Sequence, residues 1–281
     1  MHEYEDIEDP DMVSQGDVIE WVGDCRKSPW STYGIVVTAD CDLFRDKHNG
    51  YISYVPAWLT EDFLWFRWRI EMLEQPRRQA FQRVATRLTT WREKNGKGNG
   101  TLSLDAVYDW LRRVGPETML LELGVQDKGQ QNTLMDVIKP AMVLDAALEA
   151  PNLDLDLLIN AYSTFKPGDD TSAFIKNLQR NWAALPGDIF HLPAMPDGTD
   201  GDLFLLLRHI RQIRADELTA KPDDIRSGVA KAKRIARITA PYRYAITQNL
   251  AKVFSDIGLP EEFEARRATT AQRFCSARIK Q

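Results

Sequence analysis

The sequence of 281 residues predicts an α+β fold: a small β-barrel interrupted by a large helical insertion and followed by a C-terminal helical segment. Strand-length runs rich in β-branched and apolar residues occur at 16–22, 34–38 and 51–55, and again at 188–192 and 203–214. The intervening stretch of more than a hundred residues follows a three-to-four-residue apolar period instead. Helical spacing returns after about residue 222. The implied organisation is an acidic lead-in at 1–13, a discontinuous barrel at 14–59 and 186–218, a helical insertion at 60–185 and basic helices at 219–281.

Residues 1–13 carry Glu3, Glu5, Asp6, Glu8, Asp9 and Asp11 without apolar periodicity, as a flexible lead-in does. Val18, Ile19, Trp21 and Val22 form the first strand, and Ser28-Pro29 lies in the loop that follows. Ile35 to Thr38 suits a buried strand. Asp40-Cys41-Asp42 then reads as a strand-end loop whose carboxylates cap backbone amides. Asn49-Gly50 marks a tight turn into a strand at Tyr51–Val55, ended by Pro56.

Thr60 starts a helix on which Phe63, Phe66, Ile70 and Leu73 share a face. The crowded aromatics Trp58, Phe63, Trp65, Phe66 and Trp68 fit core packing better than a platform for stacked bases. A second helix is expected from Pro76 to Trp91, then a glycine-rich break at 94–100 without the spacing of a phosphate-binding loop. Further helices are expected near 103–114, 116–124, 132–148, 154–165 and 171–184, with Ser103 and Thr171 as caps. Residues 194–201 form an exposed turn between late strands. Ala232, Ile235, Ala236 and Ile238 then space as a helix that breaks at Ala240-Pro241, before another at 242–254 and a final basic one from about 261.

With 43% hydrophobic and 27% charged residues the composition is that of a globular chain, and no apolar run approaches the roughly 18 residues of a membrane span. A cytoplasmic location is expected. Cys25, Cys41 and Cys275 lack CxxC spacing and read as reduced thiols. His2, His48, His191 and His209 show no pairing at ligand spacing, so neither a metal site nor a cofactor motif is indicated. The net charge of −5 hides a basic C-terminal region: residues 226–281 hold twelve Lys/Arg against four Asp/Glu. Lys231, Lys233, Arg234 and Arg237 are its binding candidates, for RNA or DNA phosphates or for an acidic protein, this chain's own N-terminus included.

Gly16-Asp17-Val18, Ile35-Val36-Val37-Thr38 and Arg211-Gln212-Ile213-Arg214 together resemble the MazF/PemK family, whose members have an SH3-like barrel and cut RNA. In that family an Arg-Pro before the Val-Val strand and a Ser/Thr after the next strand perform cleavage, the guanidinium stabilising the developing phosphorane. Here Tyr33-Gly34 occupies the Arg-Pro place, and after the next strand no hydroxyl occurs until Thr60. The resemblance thus implies the barrel without its RNase residues. Asp40, Cys41 and Asp42 stand where chemistry or a partner would be found, with Arg211 and Arg214 as further binding candidates.

The expected function is accordingly non-enzymatic: a MazF-like protein of a bacterial stress or antiphage pathway that holds a protein partner, as an antitoxin or anti-sigma factor does. An endoribonuclease with a relocated site, drawing on Arg26, Asp40, Asp42 and His48, is the first alternative. Nucleic-acid binding through the basic C-terminal helices is the second. Homodimer formation would follow the family's habit.

Overall fold

The computed structural model describes residues 2–23, 28–165, 171–228 and 230–255, together with 262, 266 and 269. In chain order its elements are β1 (Tyr4–Glu5), β2 (Asp17–Trp21), β3 (Tyr33–Val36), α1 (Asp40–Phe44) and β4 (Tyr51–Leu59). Six helices follow: α2 (Thr60–Phe63), α3 (Arg69–Lys94), α4 (Leu104–Leu123), α5 (Lys128–Glu149), α6 (Leu155–Phe165) and α7 (Thr171–Ala183). The chain then adds β5 (Ile189–Leu192), β6 (Leu203–Leu206), β7 (Arg211–Arg214), β8 (Leu218–Thr219), α8 (Pro222–Arg226), β9 (Ala232–Ile238) and α9 (Ala240–Ser255). Two compact units result, one of Met1–Trp58 with Pro186–Gln281, the other of Leu59–Leu185.

The first unit is a curled, mainly antiparallel sheet in the order β1-β9-β2-β3-β4-β6-β5, with β7 also on β4 and β8 parallel to β9. The curl brings the two ends of the sheet together, where the Tyr4 hydroxyl of β1 donates to the Ala194 carbonyl just after β5 at 2.8 Å. Ile19, Trp21, Val36, Ile52, Tyr54, Ile213, Leu218 and Ala232 form the core of this half-barrel. Every residue of β3 is buried, and Gly34 is required there by close packing: a Cβ would lie 2.7 Å from the Tyr54 ring. Opposite Gly34 stands Pro56. The expected end of the strand at Pro56 does not occur, since β4 runs on to Leu59 and gives up only the one rung for which proline has no N–H.

Three further expectations are corrected in this unit. Residues 1–13 are not simply a free lead-in, because Tyr4 pairs with Ile238 and Glu5 with Arg237. Asp40-Cys41-Asp42 opens a short helix, favoured by acidic side chains in its first turn. The expected helix through Ala232, Ile235, Ala236 and Ile238 is the strand β9, whose even-numbered residues alternate inward. That alternation buries Arg234 among Ala232, Ala236 and Ile238, which is why apolar spacing alone misreads it. The final helix expected from about 261 falls mostly outside the described residues.

In the second unit helical structure is continuous from Thr60 to Lys94, through a π-helical turn at Leu64–Trp68. The expected break at Pro76 is absent: α3 passes through it, and Leu73, Ala80, Phe81, Val84, Ala85 and Leu88 bury one face on either side of the missing N–H. Phe63, Trp65 and Trp68 are buried, with Trp68 edge-on to Phe174 at 5.4 Å. The Arg69 guanidinium lies 3.5 Å over the Trp65 ring and donates to the Ala147 and Ala150 carbonyls at the end of α5. The two helices expected at 103–114 and 116–124 are the halves of α4, bent at Gly115, where φ is +77° ahead of Pro116. Ser103 caps α4 by accepting from the Ala106 N–H. Arg77 and Arg112 tie α3 and α4 to Asp145 and Glu149 of α5. No helix among the described residues is long and apolar enough to cross a membrane.

Candidate functional site

The site is built around a buried charge. Gly16, with φ +89°, turns the chain so that its N–H donates to Val36 O, its carbonyl accepts from Ile238 N–H, and Asp17 faces β9. The Asp17 carboxylate is fully buried. It accepts from the Ser14 N–H at 2.9 Å, from Arg234 Nη1 at 3.0 Å and from Arg237 Nε at 2.7 Å. Arg234, 1% exposed, also donates to the carbonyls of Met12 and Pro10. The segment from Pro10 to Ser14 is thereby held against the sheet, and Lys221 pairs with Asp11 at its outer side.

Above this triad lies a groove of about 950 Å³. Pro10 to Ser14 line one part of it, and α1 and the 45–48 turn another. The connection after β7 contributes Ala215, Asp216 and Leu218, Lys221 and Asp224 lie beyond it, and Arg234, Arg237 and Arg243 also line the groove. Val13, Leu43 and Ala215 pack on the barrel core, giving the groove an apolar patch, and Phe44 stands 82% exposed at its edge. Asp40 accepts from the Gln15 N–H at 2.7 Å, and Arg243 donates to the Gln15 carbonyl at 3.2 Å. Burial works against the charge of Arg237, but the hydrogen bond and field of Asp17, with the fields of Glu5 and Asp40, outweigh it and raise the pKa of the guanidinium. Arg234 Nε, Arg237 Nη2 and His48 Nδ1 are buried without a hydrogen-bond partner among the described residues.

Of the sequence-derived candidates, Asp40, Cys41, His48, Arg234 and Arg237 are brought together in this groove. Asp42 is on the same helix, where it accepts from the exposed Cys41 thiol at 3.7 Å. Arg26 lies outside the described residues. Arg211 and Arg214 stand on β7 and outside the groove lining: Arg211 covers the Trp30 ring at 4.6 Å, and Arg214 is held by Asp216 through two hydrogen bonds. Lys231 and Lys233 are not on a basic helix; Lys233 is in β9 and pairs with Glu20 at 2.8 Å, and Lys231 precedes it and pairs with Glu217 at 2.5 Å. His191, in β5, lies 2.7 Å from Asp202.

Sequence reasoning missed Asp17 as a buried counterion, Arg243, and the 10–14 segment. The Gly-Asp-Val run did draw attention to Asp17, but its partners lie more than two hundred residues away. Among the described residues no group of three or more His, Cys, Asp or Glu side chains could hold a metal ion. Tyr33 and Gly34, at the place where the MazF-like pattern needs an Arg-Pro, are buried in β3 and offer no guanidinium. The chain matches no protein-family model, no characterised protein and no solved structure.

Proposed function

We propose that this is a non-enzymatic partner-binding protein on a divergent MazF-like, SH3-like barrel, and that it holds a segment of a protein partner in the groove above Asp17. The observation that carries this reading is the groove's matched charge beside an apolar patch. Lys221 has Asp11, Arg234 and Arg237 share Asp17, and Asp40, Asp216 and Asp224 supply further carboxylates. A phosphate backbone needs an unmatched run of cations, whereas each of Lys231, Lys233, Arg234 and Arg237 already pairs with a carboxylate. An extended polypeptide carrying apolar and polar side chains fits such a surface better. A bacterial stress or antiphage setting rests on the sequence resemblance alone.

The test is affinity capture from the native host with the wild-type chain and with Phe44→Ala and Arg45→Glu, two neighbouring residues of the groove lining. A stoichiometric protein partner lost from both variants is expected. Equal capture by all three, or recovery of nucleic acid alone, refutes the reading. A relocated endoribonuclease site is the second reading, favoured by Asp40, His48, Arg237 and Arg243 lining one groove. Cleavage of total RNA by the purified protein, abolished in Asp40→Ala, would establish it in place of the first.

A further inference from the structure

Resting on the partner-binding reading, we propose that the groove recognises an acidic side chain next to an apolar one in an extended segment of the partner, the carboxylate on Arg237 and Arg243 and the apolar side chain on Leu43 and Phe44. Arg234, Arg237 and Arg243 all line the groove; the first two share the buried Asp17, Glu5 and Asp40 add their fields at Arg237, and Arg243 donates to the Gln15 carbonyl. A single carboxylate can be met by guanidinium donors here, whereas a polyanion would also run against Asp40, Asp216 and Asp224 in the same groove.

The donors are in place for it. Arg234 is almost wholly buried, and among the described residues neither its Nε nor Nη2 of Arg237, whose side chain is 17% exposed, has a hydrogen-bond partner. Buried donors are ordinarily satisfied, so two such donors on residues that line one groove point to an acceptor there. Arginine forks suit a carboxylate because two N–H groups can donate in parallel to its two oxygens.

The chain's own N-terminal segment shows how this surface reads such a sequence. Asp11-Met12-Val13 is an acidic residue followed by two apolar ones. Asp11 pairs with Lys221, Val13 packs on the barrel core, and the carbonyls of Pro10 and Met12 take the terminal nitrogens of Arg234. The groove beside this segment repeats the same ingredients, a cation pair next to Leu43, Phe44 and Ala215, with no segment of the described chain lying across them.

The experiment titrates the full-length, ¹⁵N-labelled protein with the capped peptide acetyl-Glu-Asp-Leu-Phe-amide and its neutral counterpart acetyl-Gln-Asn-Leu-Phe-amide, following the arginine Nε–Hε resonances. The acidic peptide is expected to shift the Arg237 resonance saturably and to bind about tenfold or more tightly than the neutral one. Arg243→Gln and Phe44→Ala, neither of which removes a buried ion pair, should each weaken it severalfold. Equal binding of the two peptides, shifts confined to another surface, or no binding at millimolar peptide would overturn the inference. Inorganic phosphate shifting the same resonances as tightly as the acidic peptide would overturn it too, in favour of a small-oxyanion site. Variant-sensitive capture of a protein partner reads out independently, so the partner-binding conclusion stands or falls on its own result.

Discussion

Replacing Asp17 with asparagine keeps the shape of the side chain and removes the one charge that two arginines share. In the native unit Asp17 and Arg234 are 0% and 1% exposed, and Arg237 is 17% exposed, so solvent cannot stand in for the lost carboxylate. Breaking a buried pair by deleting one partner costs about 3–5 kcal/mol, most of it the desolvation of the charge left behind. For a unit of this size that corresponds to a fall in Tm of roughly 6–20 °C. Scanning calorimetry with denaturant titration would measure it, with the transition of the helical unit as internal reference. Hydrogen exchange should rise at residues 10–14, because their carbonyls hang on Arg234. A triple variant, Asp17→Leu with Arg234→Met and Arg237→Met, should recover most of the loss, since apolar side chains remove the buried charges altogether. A loss under about 1 kcal/mol in Asp17→Asn, or unchanged exchange at 10–14, would refute the claim that this triad fastens the segment to the barrel.

Three other outcomes are expected. Gly34→Ala should destabilise the barrel by about 1–3 kcal/mol, read by denaturant midpoint, because its methyl carbon would sit 2.7 Å from Tyr54 and 3.2 Å from Ile19. Burial, with the fields of Glu3 and Asp202, raises the pKa of Tyr4 in the folded state above its ordinary value of 10.0, so unfolding releases its proton more readily and stability should fall as pH rises above about 10. Tyr4→Phe should blunt that alkaline loss while costing about 1 kcal/mol at neutral pH through the hydrogen bond to Ala194, which paired pH–denaturation curves would show. Cys41 is exposed at the groove, so native protein should be alkylated there within minutes by iodoacetamide, followed by mass spectrometry, and a peptide bound in the groove should slow the reaction.

The strands at β2, β3 and the start of β4 were legible because Val18, Ile19, Ile35, Val36 and Ile52 are β-branched and flanked by turn residues, local signals that need no tertiary partner. The helical insertion was legible for the same reason, down to the Ser103 cap. What failed was whatever depended on distant chain. Arg234 at an inward position of β9 looks like a solvent-facing residue until Asp17 is known to lie opposite, and with that pair hidden the remaining Ala and Ile positions imitate a helix. Pro56 and Pro76 were read as breakers, yet each is carried by neighbours packed on both sides. Within the candidate site, Asp40, Cys41 and His48 were found from composition and position, whereas Asp17 and Arg243 required knowing that β9 and α9 return to residues 14–17.

The position of β9 has a consequence for how the chain reaches this state. It lies between β1 and β2, so two of the first strands to be synthesised depend on residues 232–238 for a neighbour. During translation β2 therefore waits with an open edge and an unpaired carboxylate while the whole helical unit emerges and folds on its own local contacts. Completion of the curled sheet becomes a late, long-range step, and a ribosome stalled before codon 232 would present a helical unit with an unfinished sheet. Early truncation of this protein should thus be read by the cell as an aggregation hazard rather than as a shortened but working copy.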